Sequence, residues 1–125
     1  MHIRNEIRQH IRQFDRVGNS PAADFLFPED FTGFSGHFRG QPVLPGVCLI
    51  EAATVMLEAW HSQDIVVHQV TGAKFTRMIL PNQSIRLRCL KFACGDNGGN
   101  ATVICEHDSA RAAEFALDYD FTQKK

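Results

Sequence analysis

The longest apolar stretch of the chain decides its architecture. Residues 45–61 read PGVCLIEAATVMLEAWH, with apolar side chains on every side of a helical projection. A helix that is apolar all round is a buried helix. Pro45 suits a first helical turn, and a helix of about 17 residues is roughly 25 Å long at 1.5 Å per residue. The stretch therefore predicts a central helix over residues 45–61 that runs the length of a small sheet.

Segments typical of β-strands follow this helix to the C-terminus. They cover residues 65–70, 73–80, 84–94, 101–107 and 112–121, with turn signals between them. Within residues 84–94 the apolar alternation changes phase after Cys89, which indicates a bulge or a strong bend. An antiparallel sheet wrapped around the long central helix accounts for these patterns. The prediction is an α+β fold with one domain over residues 1–125.

A second helix is predicted at the N-terminus. Apolar residues recur at helical spacing between Ile3 and Phe14, which favours an amphipathic helix over residues 1–17. Arginines recur beside them at steps of four: Arg4, Arg8, Arg12 and Arg16. This arginine stripe is either a solvated face or a docking surface for an acidic partner.

Composition and charge limit the classes of function. With 125 residues, 13 Lys+Arg and 14 Asp+Glu, the formal net charge is −1, so the chain has no overall field to attract nucleic acid. Its apolar runs are too short to span a bilayer, and no secretion signal follows Met1. We expect a cytoplasmic protein with no nucleic-acid partner and no membrane span.

The cysteines and histidines do not indicate a metal site. The four cysteines include no Cys-x-x-Cys pair, and the histidines show no ligand spacing. We expect reduced, partly buried cysteines: Cys48, Cys89, Cys94 and Cys105.

The chemistry is concentrated just before and inside the central helix. A segment rich in glycine and proline holds His37 and leads into the helix N-terminus, where the Gly46 amide is suited to stabilise an oxyanion. Glu51 follows five residues later among apolar neighbours, where an unpaired carboxylate would be costly. As a pair, His37 and Glu51 suit acid–base catalysis. The alternative is a Glu51 whose charge is satisfied by an arginine at a dimer interface or by a capping contact.

Residues 37–47 follow the pattern H-F-x-G-x-P-V-x-P-G-V, with Glu51-Ala52 after it, and residues 72–81 read G-A-K-F-x-R-x-x-x-P. These motifs resemble the signature of the β-hydroxyacyl-acyl-carrier-protein dehydratases. The resemblance implies the hotdog fold, an antiparallel sheet around a central helix. It also implies a homodimer with its active sites at the interface. Three such dimers could assemble into a trimer of dimers.

The resemblance further implies removal of water from a β-hydroxyacyl thioester, giving a trans-2-enoyl thioester in fatty-acid synthesis or in a specialised lipid or polyketide pathway. His37 would take the α-proton, Glu51 would help to protonate the departing hydroxyl or hold the water, and the Gly46 amide would polarise the thioester oxygen. The implied acyl tunnel is lined by Val43, Phe75 and Met78, and the implied acyl-carrier-protein contacts are Arg39, Lys74 and Arg77. The reaction needs no metal and no cofactor beyond the carrier's phosphopantetheine, which bears the substrate.

Two other functions remain open at this point. In a hotdog thioesterase, Glu51 would act as base or nucleophile towards the thioester carbonyl. In a non-catalytic acyl-carrier-binding module, no reaction would follow binding. The best sequence evidence for such a module is Val55, because the dehydratases commonly have there a glutamine that helps to hold the acid and the water.

Overall fold

The computed structural model describes residues 3–35 and 41–122, which form two α-helices, six strands and one short 3₁₀ turn. In chain order these are α1 (Ile3–Arg8), β1 (Ile11–Val17), β2 (Ser20–Leu26), the 3₁₀ turn (Thr32–Phe34), α2 (Gly46–His61), β3 (Ile65–Phe75), β4 (Ser84–Cys94), β5 (Gly98–His107) and β6 (Ala110–Phe121).

The six strands make a single antiparallel sheet in the order β1-β2-β4-β5-β6-β3. Buried side chains of α2, such as Met56 and Leu57, join those of the strands in one hydrophobic core. Both side chains are 0% exposed. The α+β architecture predicted from the sequence, with a sheet packed on one long helix, is confirmed.

The central helix forms where the sequence predicts it. Pro45 is the N-cap residue of α2, and the helix ends at His61 because Ser62 adopts a left-handed conformation with φ of 57°. A helix cannot continue through that conformation in an L-amino acid. The prediction of residues 45–61 is therefore correct to within one residue.

The prediction of one helix over residues 1–17 is wrong. The helix α1 ends at Arg8, and Ile11–Val17 form strand β1, which makes a hairpin with β2. The apolar residues between Ile3 and Phe14 are spaced as in a helix, but the backbone hydrogen bonds that β1 forms with β2 outweigh this local preference. The arginine stripe is divided as a result: Arg4 and Arg8 lie on α1, whereas Arg16 stacks over the ring of Trp60 at 4.0 Å.

The sequence prediction is wrong about the bounds of β3 and right about the bulge in β4. The sequence predicts two strands over residues 65–70 and 73–80, but β3 is one strand that continues to Phe75. It passes through Gly72 with a φ of 61° and a shift in register. Beyond Phe75 the chain leaves the sheet. In β4 a register shift lies between Cys89 and Lys91, so the predicted bulge is confirmed.

Among the described residues, no helix combines the length and the apolarity that a bilayer crossing requires. All four cysteines are free thiols. Cys48 and Cys105 are buried and Cys89 is half-buried, as expected, but Cys94 near the end of β4 is exposed, so the prediction of partial burial is wrong for this residue.

The cysteines are therefore expected to react at very different rates. Burial raises the pKa of Cys48 and of Cys89 to about 11 and that of Cys105 to about 12. At pH 8 a thiol with a pKa of about 11 is ionised in roughly one molecule per thousand, and one with a pKa of about 12 in roughly one per ten thousand. The thiolate is the reactive form. A chromogenic disulfide reagent should label one thiol per native chain rapidly. Cys94→Ser should abolish that fast phase, and a fast phase that survives the substitution would contradict this assignment.

Candidate active site

The first residue of α2 closely approaches the end of β3. A Cβ atom on Gly46 would lie only 2.7 Å from Cζ of Phe75, so the position requires glycine unless the ring moves. Because Gly46 is at the helix N-terminus, its amide has no acceptor within the helix. The helix start thus offers a backbone donor next to an aromatic ring.

An apolar cavity of about 270 Å³ opens at this point. Its lining includes Val43, Gly46, Phe75, Arg77 and Met78. A backbone hydrogen bond of 2.8 Å from the amide of Leu44 to the carbonyl of Ile79 joins its two walls. The structure therefore brings together Gly46 and all three residues that the sequence predicts for an acyl tunnel.

The acid lies on a different side of the same helix. Gly46 and Glu51 are five residues apart, which is a rotation of about 140° around a helix axis at 100° per residue. Glu51 lines a second cavity of about 270 Å³ together with Ile3, Val47 and Cys48. Within one chain, the described residues thus place the Gly46 amide and the Glu51 carboxylate in separate cavities.

Glu51 is paired with an arginine from α1. Nε of Arg4 donates a hydrogen bond of 2.7 Å to Oε1 of Glu51, and the two side chains are 31% and 23% exposed. This hydrogen bond is the main reason why the pKa of Arg4 is raised above its usual value. Glu51 is thus satisfied by an arginine of its own chain, and not by the dimer-interface arginine of the alternative interpretation.

A second glutamate, Glu58, was missed as a functional residue. It is only 7% exposed and accepts hydrogen bonds from Arg8 at 2.6 Å and from the amide of Ile65 at 3.0 Å. Arg4 also lies 3.6 Å from its other oxygen. We call Arg4, Arg8, Glu51 and Glu58 the ionic cluster. The sequence contained the signal, because residues seven apart, such as the two glutamates, share a helix face.

The other predicted site residues are only partly described. Lys74 and Arg77 are exposed, and Arg77 lies at the apolar cavity. His37 and Arg39 lie outside the described residues. Val55 is buried and lines a larger cavity of about 580 Å³ beside Glu58. No group of three or more metal-ligating side chains occurs in the described parts of the chain.

Comparison with solved structures defines the class of fold. The chain superposes with a TM-score of 0.70 on a structure described as the dehydratase heterocomplex ApeI:P from Xenorhabdus doucetiae, at 15% identity over 88% of this chain and 96% of that one. A hypothetical thioesterase with coenzyme A from Streptococcus pneumoniae also gives a TM-score of 0.70, at 8% identity over 97% of this chain and 92% of that one. At these identities the likeness concerns the fold alone, and this is the hotdog fold, as expected.

Sequence comparison then identifies the family. A family model described as ApeI-like, ApeI dehydratase, matches residues 13–111. The chain belongs to this family.

Curated relatives agree with this assignment. The chain is 34% identical over 93 residues to the 3-hydroxyacyl-acyl-carrier-protein dehydratase FabZ of Acetivibrio thermocellus, covering 69% of this chain and 64% of that protein. It is 33% identical over 81 residues to FabZ of Clostridium acetobutylicum, covering 56% and 57%. The matches span less than two thirds of either relative. They confirm the resemblance to the β-hydroxyacyl-acyl-carrier-protein dehydratases.

Because Glu58 accepts hydrogen bonds from α1 and from the start of β3, its neutralisation should loosen both contacts. We expect Glu58→Gln to lower the free energy of unfolding by about 1–3 kcal/mol, as for loss of a buried charge-assisted hydrogen bond. Chemical denaturation checks this, with the exposed Glu29→Gln as a matched control. Equal stabilities of the two variants would contradict an anchoring role for Glu58.

Proposed function

We propose that this protein removes water from a β-hydroxyacyl thioester carried by acyl carrier protein and produces a trans-2-enoyl thioester. The observation that carries the proposal is the first turn of α2, where the backbone donor of Gly46 meets the apolar cavity lined by Val43, Phe75 and Met78. The names of the curated relatives support the same reaction.

Each group has a role in this reaction. His37 removes the proton α to the carbonyl, and the Gly46 amide stabilises the negative charge that develops on the thioester oxygen. Glu51 acts on the β-hydroxyl, and the apolar cavity accommodates the acyl chain. The carrier's phosphopantetheine arm delivers the substrate, and the protein needs no metal or further cofactor.

The carrier protein is proposed to dock near the apolar cavity. Arg77 is exposed and lines that cavity, Lys74 is exposed near the end of β3, and Arg39 lies in the segment before α2. Positive side chains at the rim of a binding site attract an acidic partner and speed its association. The substrate belongs to fatty-acid synthesis or to a specialised lipid or polyketide pathway.

The complete site is proposed to need two copies of the chain. Gly46 and Glu51 line separate cavities in one chain, so a partner subunit is required to bring an acid to the Gly46 side. The strand β3 lies at an edge of the sheet, and its apolar residues Val66, Val70 and Phe75 are 53%, 39% and 47% exposed. An exposed apolar edge strand is a template for pairing with another chain. A homodimer formed through β3 would cover it.

The reaction is tested by incubating the pure protein with a β-hydroxyacyl thioester, both on acyl carrier protein and on pantetheine. We expect enoyl absorbance to rise without release of free thiol. His37→Ala should slow the reaction by about 10²- to 10⁴-fold, the usual contribution of an acid–base group. Glu51→Gln should also slow it, because the carboxylate that acts on the β-hydroxyl is lost. Glu29→Gln is the matched control for Glu51→Gln and should retain the wild-type rate.

Two results would contradict the proposed reaction. Free thiol and carboxylic acid in place of enoyl product would identify a thioesterase. Binding of the thioester with neither product would identify an acyl-carrier-binding module.

The assembly is tested at the two edges of the sheet. Val70→Asp puts a charge on the proposed interface strand and should shift the protein from dimer to monomer in light scattering, with loss of activity. Val17→Asp is the matched control, because Val17 is 50% exposed on β1 at the opposite edge. A wild-type monomer, or equal dissociation in both variants, would contradict the β3 interface.

A further inference from the structure

The ionic cluster fixes the direction of the Glu51 carboxylate. Arg4 binds Oε1 of Glu51 through Nε at 2.7 Å, while its Nη1 lies 3.6 Å from Oε2 of Glu58. The two glutamates therefore hold one planar guanidinium between them. A guanidinium presents its donors in a rigid plane and remains charged at any pH a protein tolerates.

The helix itself supplies Glu51 with little polar support. Four residues after Glu51, where the helix brings a side chain beside it, stands Val55, which is buried and has no polar side-chain atom. The polar partner comes instead from α1, an element about fifty positions earlier in the chain. Arg4 thus occupies the role for which the dehydratase signature has a glutamine.

We propose that Arg4 is a positioning residue that holds the Glu51 carboxylate in one direction, so that Glu51 accepts a hydrogen bond from the β-hydroxyl of the substrate and does not donate a proton to it. This inference rests on the proposed dehydration and deepens it. Arg4 donates a hydrogen bond of 2.7 Å to Glu51, and the oxygens of a carboxylate paired in this way accept hydrogen bonds.

His37 alone then removes and returns the proton that is transferred in the reaction. His37 takes the α-proton, and the electron pair of that C–H bond becomes the new double bond as the Cβ–O bond breaks. The protonated His37 returns its proton to the departing oxygen, which leaves as water. Glu51 neither gains nor loses a proton. It holds the β-hydroxyl in the orientation in which the Cβ–O bond breaks.

The first experiment separates positioning from binding. Arg4→Ala should lower kcat by about ten- to a hundred-fold, the usual effect of a misplaced catalytic group, and should leave KM nearly unchanged because Arg4 does not line the apolar cavity. Arg4→Lys, which keeps the charge but not the planar fork, should recover part of kcat. Arg8→Ala is the docking control, because Arg8 also ties α1 to α2 but bonds Glu58 and not Glu51.

A double-mutant cycle tests whether Arg4 acts through Glu51. In a Glu51→Gln background, Arg4→Ala should change kcat by less than about two-fold, since the interaction that it removes is already lost. Independent effects of the two substitutions would overturn the inference. So would a loss of kcat in Arg8→Ala as large as that in Arg4→Ala, because simple docking of α1 would then explain both.

A stability measurement that needs no substrate distinguishes failure of the Arg4 inference from failure of the proposed dehydration. The thermal midpoints of the same four proteins should show coupling between Arg4 and Glu51 whatever reaction the protein catalyses. An active wild type whose kcat is insensitive to Arg4→Ala overturns the positioning role and leaves the dehydration standing. If the wild type shows this coupling but forms no enoyl product, the proposed dehydration is overturned, and with it the catalytic role that rests on it.

Discussion

Two carboxylates within a buried helix must be compensated, and this requirement organises the molecule around α2. Glu58 is almost fully enclosed, and the loss of its hydration is offset by charged and backbone donors from two other elements. Glu51 is less enclosed but is likewise paired. The short helix α1 is thereby held against the long one, and β3 begins at a fixed position. Polar contacts thus join α1, α2 and the start of β3.

The pairing of Glu51 with α1 also places the two groups of α2 that could take part in chemistry, the Gly46 amide and the Glu51 carboxylate, on different sides of the helix. The first turn, at Gly46, faces the apolar cavity and β3, whereas the face bearing Glu51 is turned towards α1. The chain therefore presents a backbone donor on one side of α2 and a carboxylate on another. This division fits the proposal that the complete site forms between two copies.

Much of the fold could be predicted from local patterns, because α2 is uniformly apolar and the strands of the C-terminal half alternate clearly. The sheet even includes the expected bulge after Cys89. The N-terminal region could not be predicted in this way, since the residues from Ile11 to Val17 fit a helix by their spacing and a strand by their pairing with β2. Gly46 and the residues that the motif suggests for an acyl tunnel line one cavity. The pairing of Arg4 with Glu51 depends on how α1 docks, which no local pattern specifies.

The contact between Arg16 and Trp60 gives the molecule a spectroscopic property. Trp60 is the only tryptophan of the chain, and it lies near the end of α2 beneath the guanidinium of Arg16 and edge-on to Phe92. Intrinsic fluorescence at tryptophan wavelengths therefore originates from one defined place. Its emission reports how the first strand and the fourth strand meet the end of the central helix, far from the turn where the proposed chemistry occurs.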